Sequence, residues 1–262
     1  MERKLSEPTT PYSHTAGILS IDLNALASNY QIIKNNTLDV KIGAVVKANG
    51  YGLGAEEVVT TLIKQGCYIF FVAYLDEGIN LRKKFPGIEI YVLNGLFENT
   101  AVFYKNFSLR PVIGSLNEIK YWVHFCNDNP LPCCLHVDTG LLRLGIPNDE
   151  LLTLGKDSSI TDKLDVKYVM SHLASADDPT NHQNYNQFSL FQNARKILPM
   201  GEASLSASSG IFLNKKFHFD LVRPGIALYG GNPTPNKKNP MHPVISLKAK
   251  IKQIRNAIKG QL

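Results

Sequence analysis

One rhythm constrains this chain more than any other feature: from residue 42 to residue 222, strand-length apolar runs alternate with helix-length segments at short intervals. The strand-like runs are 42–46 (IGAVV), 68–72 (YIFFV), 88–93 (IEIYVL), 109–113 (LRPVI), 132–138 (PCCLHVD), 166–171 (VKYVMS), 203–207 (ASLSA) and 219–222 (FDLV). Helices are expected between them at 55–65, 75–84, 97–105, 115–126, 148–155 and 183–198. Strands joined this way run parallel, and a parallel sheet must be covered by helices. Eight strand–helix units predict a (β/α)8 TIM barrel. An open doubly wound sheet is the alternative, which the number of strands and the length of the series disfavour.

Upstream, residues 17–23 (GILSIDL) read as a strand entering a helix capped by Asp22, with Leu23, Leu26, Ala27, Tyr30 and Ile33 along one face. Downstream, residues 230–243 (GGNPTPNKKNPMHP) hold four prolines and read as a linker, and residues 244–256 alternate apolar and polar like a half-exposed strand. The expected division is therefore a polar lead (1–15), a barrel (16–230), a linker (231–243) and the beginning of a β domain (244–262).

Composition narrows the function classes. With 44% apolar residues the chain has material for a core, which excludes disorder. Its 28 Lys and Arg against 22 Asp and Glu leave a net charge of +6 that is scattered, so no nucleic-acid footprint stands out. The longest apolar run, Tyr68 to Leu75, is too short to span a bilayer, and the first 16 residues contain no signal-like apolar stretch. A cytoplasmic protein is expected. Cys67, Cys126, Cys133 and Cys134 match no metal-ligand spacing and read as buried free thiols, the adjacent pair facing opposite sides of a strand.

A barrel carries its active site at the C-terminal ends of its strands, and reactive residues collect there. Lys47 and Tyr51 follow the first strand in AVVKANGYGLG. Asp138 and Arg143 follow the fifth in HVDTGLLRLGI, and His172 ends the sixth in SHLAS. Singly, these could be a solvated lysine, a surface ion-pair partner and a core histidine; their shared placement favours a site. A lysine desolvated at a barrel mouth is an amine prepared for Schiff-base chemistry. After strands seven and eight, Ser208 and Ser209 with the amides around Gly225 and Ile226 fit a phosphate cradle, to which Tyr51 could add a phenol. An amine and a phosphate cradle on one rim imply pyridoxal phosphate. Arg223 is the candidate to face its ring nitrogen, because a guanidinium donates there without surrendering a proton.

In these four motifs (AVVKANGYGLG, HVDTGLLRLG, SHLAS and FDLVRPGIALYG) the chain resembles the N-terminal barrel of the bacterial alanine racemases, from about residue 16 onward. The resemblance implies that Lys47 bonds the cofactor covalently and serves as one of two bases. Tyr51, Ser208, Gly225 and Ile226 would hold the phosphate, and Arg223 would face the ring nitrogen. His172 would lie near the ring, and Arg143 would contact the cofactor phenolate and the substrate. It further implies alanine as substrate, D-alanine for cell-wall synthesis as product, and a head-to-tail homodimer. In that dimer the second base is a tyrosine of the partner's β domain, lying beyond Leu262. Two departures stand out: His136 replaces a lysine that is often carbamylated, and Ala207 replaces an asparagine. The competing reading is a non-catalytic pyridoxal phosphate carrier, against which the linker and the strand after it speak.

Overall fold

The structure, a computed structural model, describes residues 15–157, 159–198 and 200–261. Residues 1–14 of the polar lead lie outside the described residues. β1 (Gly17–Ile21) precedes eight parallel strands: β2 (Lys41–Val45), β3 (Ile69–Val72), β4 (Glu89–Val92), β5 (Arg110–Ile113), β6 (Pro132–His136), β7 (Asp165–Met170), β8 (Glu202–Ser204) and β9 (Leu221–Val222). Their order, β8-β7-β6-β5-β4-β3-β2-β9, is that of a barrel. Where β8 meets β9 the ring is drawn together by single bonds, Asp220 N–H to Ala203 O at 3.0 Å and Arg223 N–H to Ser206 O at 2.8 Å. The helices are α1 (Leu23–Thr37), α2 (Lys47–Tyr51), α3 (Ala55–Lys64), α4 (Leu75–Lys84), α5 (Ala101–Asn106), α6 (Leu116–Cys126), α7 (Asn148–Lys156), α8 (His182–Ile197) and α9 (Ser208–Ile211). Helix α5 starts later than its apolar pattern suggests, because residues 97–100 close a turn in which Thr100 Oγ1 bonds Phe97 O at 2.7 Å.

Strand periodicity sorts the core into two layers. Val45, Phe71, Tyr91, Val112, Cys134, Tyr168, Met170 and Leu221 fill the lumen, while their neighbours, Cys133 among them, pack outward beneath the helices. All four cysteines are buried free thiols, and the adjacent pair does divide between the two faces.

The ends of the chain depart from the sequence reading. β1 pairs antiparallel with β10 (Ile245–Ala249), so residues counted with the barrel form a two-stranded ribbon with the C-terminal strand. The stretch between barrel and ribbon is strapped down despite its linker-like composition. The fully buried Asn29 on α1 bonds Leu228 O at 3.1 Å and His242 O at 2.9 Å and accepts from His242 N–H at 2.7 Å, while Met241 and Val244 join the core. Prolines and asparagines look like a linker locally; a buried amide 213 residues away fixes this one.

Candidate active site

Lys47 stands directly beyond β2, where the chain makes a turn of left-handed helix: Ala48 (φ 52°, ψ 49°), Asn49 (φ 53°, ψ 51°) and Gly50 (φ 64°, ψ 43°), followed by Tyr51 at φ 56°. Each non-glycine residue there costs about 1–2 kcal/mol. The turn is held by Gly50 N–H to Val46 O at 2.9 Å and by Asn49 Oδ1, which accepts from Ala55 N–H at 2.9 Å. Through it Lys47 and Tyr51 both reach the same cavity, of about 630 Å³, at the C-terminal mouth of the barrel. Backbone strain of this kind clusters at functional sites.

Tyr51 packs against Tyr229 with the rings tilted by 31° and their centroids 4.5 Å apart, and the Tyr229 hydroxyl in turn donates to Val45 O at 3.1 Å. The Tyr51 hydroxyl comes so close to Gly225 that a Cβ there would lie 2.3 Å from it; only glycine admits the phenol. Beside it the buried Ser208 Oγ accepts from Gly225 N–H at 3.0 Å and Ala227 N–H at 3.2 Å. Phenol, hydroxyl and amides thus converge on one spot, with the half-exposed Ile226 at the cavity edge. Burial holds the Tyr51 phenol above its ordinary pKa, so it stays protonated and can donate.

Arg223 is 3% exposed. It donates through Nη1 to Ser204 Oγ and through Nη2 to Ser171 O at 2.6 Å, and the Ser204 hydroxyl donates in turn to Leu221 O at 2.6 Å. Both acceptors are neutral. Burial lowers the guanidinium to about 10, which leaves it charged at neutral pH.

His172 and His136, at the ends of β7 and β6, line the cavity together with Arg143. Burial, then the positive charges of Arg223 and Arg143, pushes both imidazoles down to about 3, so both are neutral. Arg143 is exposed on its loop. Asp138, which the sequence places on the same loop, is committed within it: Oδ1 accepts from the backbone N–H groups of Gly140, Leu141 and Leu142 at 2.9, 3.0 and 3.2 Å. The loop turns back at Gly145 (φ 119°), where a Cβ would strike Asp138 N at 2.6 Å.

Lys47, Tyr51, Arg143, His172, Ser208, Ser209, Arg223, Gly225 and Ile226 all line this one cavity, although 179 positions separate the first from the last (226 − 47), whereas Asp138, also picked out at a strand end, does not. Sequence reading missed the residues behind them: Ser171, Ser204, Thr139 and Gln187. Buried serines and glutamines carry no spacing signal, and only the folded arrangement marks them.

Fold and rim together define a class: a (β/α)8 barrel that gathers an amine, two guanidiniums and a hydroxyl-and-amide cradle on its catalytic face. Within that class the chain belongs to the family described as alanine racemase, N-terminal domain, whose sequence model matches residues 21–233. It is 48% identical over 255 residues to a catabolic alanine racemase of Mesorhizobium japonicum, covering 95% of this chain and 67% of that protein. The alanine racemase of Rickettsia akari is 42% identical over 241 residues, covering 91% and 66%. Among solved structures, alanine racemase from Bartonella henselae with covalently bound pyridoxal phosphate superposes with a TM-score of 0.88 at 36% identity, covering 92% of this chain and 71% of that one. The chain thus spans about two thirds of the length of these relatives. Among the described residues, no helix is long and apolar enough to cross a membrane.

Proposed function

We propose that this chain is the cofactor-bearing barrel of an alanine racemase, binding pyridoxal phosphate on Lys47 and interconverting L- and D-alanine when a second base is supplied. The observation that carries the reading is the convergence of these rim residues on one cavity. Their donor chemistry fits the group. The cradle that a Cβ at Gly225 would fill, with the Tyr51 phenol and the Ser208 hydroxyl, suits a phosphate; the amine suits an aldehyde. When bound, pyridoxal phosphate supplies that aldehyde and a conjugated ring able to delocalise negative charge from Cα.

The protein's own groups do the rest. Lys47 would hold the cofactor and move a proton at one face of Cα. Arg223, bonded to Ser204 and Ser171 and lining the cavity, would donate to the ring nitrogen without yielding a proton. Arg143 would meet the ring oxygen and the substrate carboxylate, and the neutral His172 would lie beside the ring. Racemisation needs a proton donor on the opposite face as well. Tyr51 is engaged against Gly225 and His172 is held neutral among cations, so neither serves there. The second base comes from the β domain of a partner subunit in a head-to-tail homodimer, and the division into lead, barrel, linker and starting β domain belongs to the same reading. A cytoplasmic enzyme supplying D-alanine to the cell wall is the corresponding role.

The test uses residues 1–262 with pyridoxal phosphate. Borohydride trapping and peptide mass analysis should find the cofactor on Lys47, with racemisation weaker by about 10²–10⁴, the contribution of one acid–base group. Modification at another lysine would overturn the assignment. Joining the part of the Mesorhizobium relative that this chain does not match should restore turnover; a cofactor carrier would bind and stay silent in both forms.

A further inference from the structure

Beyond Met170 the β7 strand runs out of neighbours. Its last ladder bonds are Val137 N–H to Met170 O at 2.8 Å and Ser171 N–H to Ser204 O at 3.0 Å. The backbone that carries His172 then continues beside α8 with no strand to pair with. Gln187, on α8 and 1% exposed, takes over. Its Nε2 donates to His172 O at 2.9 Å and its Oε1 accepts from Ala174 N–H at 2.8 Å. A C=O and the N–H two residues later, both bonded to one group, are what a residue on a parallel neighbouring strand provides. One side-chain amide therefore extends the sheet by one residue, at the residue pair that flanks the exit of His172.

The same amide reaches two other rim elements. Nε2 also donates to Thr139 Oγ1 at 3.2 Å, in the loop that leads to Arg143, and Thr139 Oγ1 lies 2.7 Å from Ser171 Oγ. The carbonyl of Ser171 is the acceptor of Arg223 Nη2. Thr139 and Ser171 are both buried, so the links from Gln187 through them to Arg223 lie out of water, where an amide left unpaired costs most. One turn earlier on α8, Gln183 repeats the pattern more loosely, donating to Gly140 O at 3.1 Å and accepting from Ser175 Oγ at 2.8 Å.

We propose that Gln187 is a positioning residue for the cofactor site: it sets the backbone of His172 and couples it to the Arg143 loop and, through Ser171, to Arg223. The proposal rests on the cofactor reading given above. Glutamine suits the task because its planar amide offers two donors and an acceptor at fixed angles without adding charge to a rim that already carries Lys47, Arg143 and Arg223.

The experiment compares the 262-residue chain with its Gln187→Met and Thr139→Val variants, each saturated with pyridoxal phosphate. Three quantities are read: the visible circular dichroism of the bound cofactor, the Kd for pyridoxal phosphate, and the melting midpoint of the cofactor-free chain. Gln187→Met should shift or flatten the visible band and raise Kd about tenfold, the lower end of what losing an outer hydrogen-bond partner costs at metal sites. Both changes should appear well below the midpoint, with far-ultraviolet dichroism unchanged. Thr139→Val, which deletes one link and nearly preserves shape, should give a smaller loss in the same direction, and Thr139→Ser should restore the wild-type band. A lower midpoint with band and Kd unchanged in both variants would reduce Gln187 to a structural residue and overturn the proposal. Should Gln187→Met fail to fold, the Thr139 pair decides the question on the same readouts. Absence of borohydride-trapped cofactor on Lys47 in the wild-type chain would overturn the cofactor reading and this proposal with it. A trapped cofactor beside unchanged variants overturns the proposal alone.

Discussion

Arg110, at the N-terminal floor of the barrel, and Arg223, at its C-terminal rim, belong to the same sheet and live in opposite electrostatic states. Arg110 is ion-paired with Glu89, donates to the Tyr91 hydroxyl at 2.6 Å and lies 5.2 Å from the centroid of that ring. Burial pulls it down, but Tyr91 and Glu89 outweigh burial and hold it above its ordinary value. Nearby, Lys41 and Glu202 pair at 2.7 Å. At the rim, Arg223 is bonded to a hydroxyl and a carbonyl, and burial leaves it below its ordinary value. Among the described residues no ion pair engages Lys47, Arg143 or Arg223. The floor closes its charges within the protein. The rim keeps its positive charge uncompensated, at a cost in stability, and that is the arrangement an anionic ligand completes.

The largest expected effect separates the ends outright. Lys47→Ala should abolish borohydride trapping of pyridoxal phosphate, whereas Arg110→Met should leave trapping intact; loss of trapping in both would erase the distinction.

Next comes acid. In the folded chain His136 and His172 are pushed down to about 3, against 6.5 when unfolded, so the unfolded state takes up protons first as pH falls. Lowering the pH from 7.5 to 5.5 should therefore remove about 1.3 kcal/mol per imidazole, or about 2–3 kcal/mol together, from the cofactor-free chain. Urea unfolding at the two pH values measures this, and a His136→Asn, His172→Asn double variant should lose most of the dependence. A wild-type chain equally stable at both values contradicts the burial of these groups.

The two arginines should then respond oppositely to the same replacement. Arg110→Met strands a partly exposed Glu89 and should cost about 1–2 kcal/mol. Arg223→Met removes an uncompensated buried charge and should leave cofactor-free stability within about 1 kcal/mol of wild type, or above it, while weakening pyridoxal phosphate binding. Equal losses in denaturant midpoint would mean that Arg223 is structural after all.

The smallest effect expected is none. His136 cannot form the stable carbamate that a lysine can, so added bicarbonate should change neither cofactor binding nor turnover of the completed enzyme. Mass evidence for a carbamate at position 136 would restore an anion to the rim and blunt the contrast with the floor.

Much of the rim was readable because strand ends are a one-dimensional property. Once an apolar run such as IGAVV is taken as a strand, Lys47 is placed at its end, and eight repetitions bring the ends together. The support beneath was not readable. Asp138 stands at a strand end beside Arg143 in the same motif, yet its carboxylate is spent on three loop amides. Ser208 was expected beside the Gly225 amide, but the structure also bonds the two to each other.

Periodicity and order along the chain, then, determined the barrel, its two-layered core and which side chains stand at its mouth, because burial follows a period of two in strands and 3.6 in helices that any segment carries by itself. Tertiary structure alone decided the pairing of β1 with β10, the strapping of residues 230–244 by Asn29, the neutral partners of Arg223 and the amide of Gln187 in place of a strand. Each depends on a polar group meeting a partner far away in sequence. Water would satisfy those groups equally well in the unfolded chain, so only the dry interior of the finished fold makes the choice of partner matter.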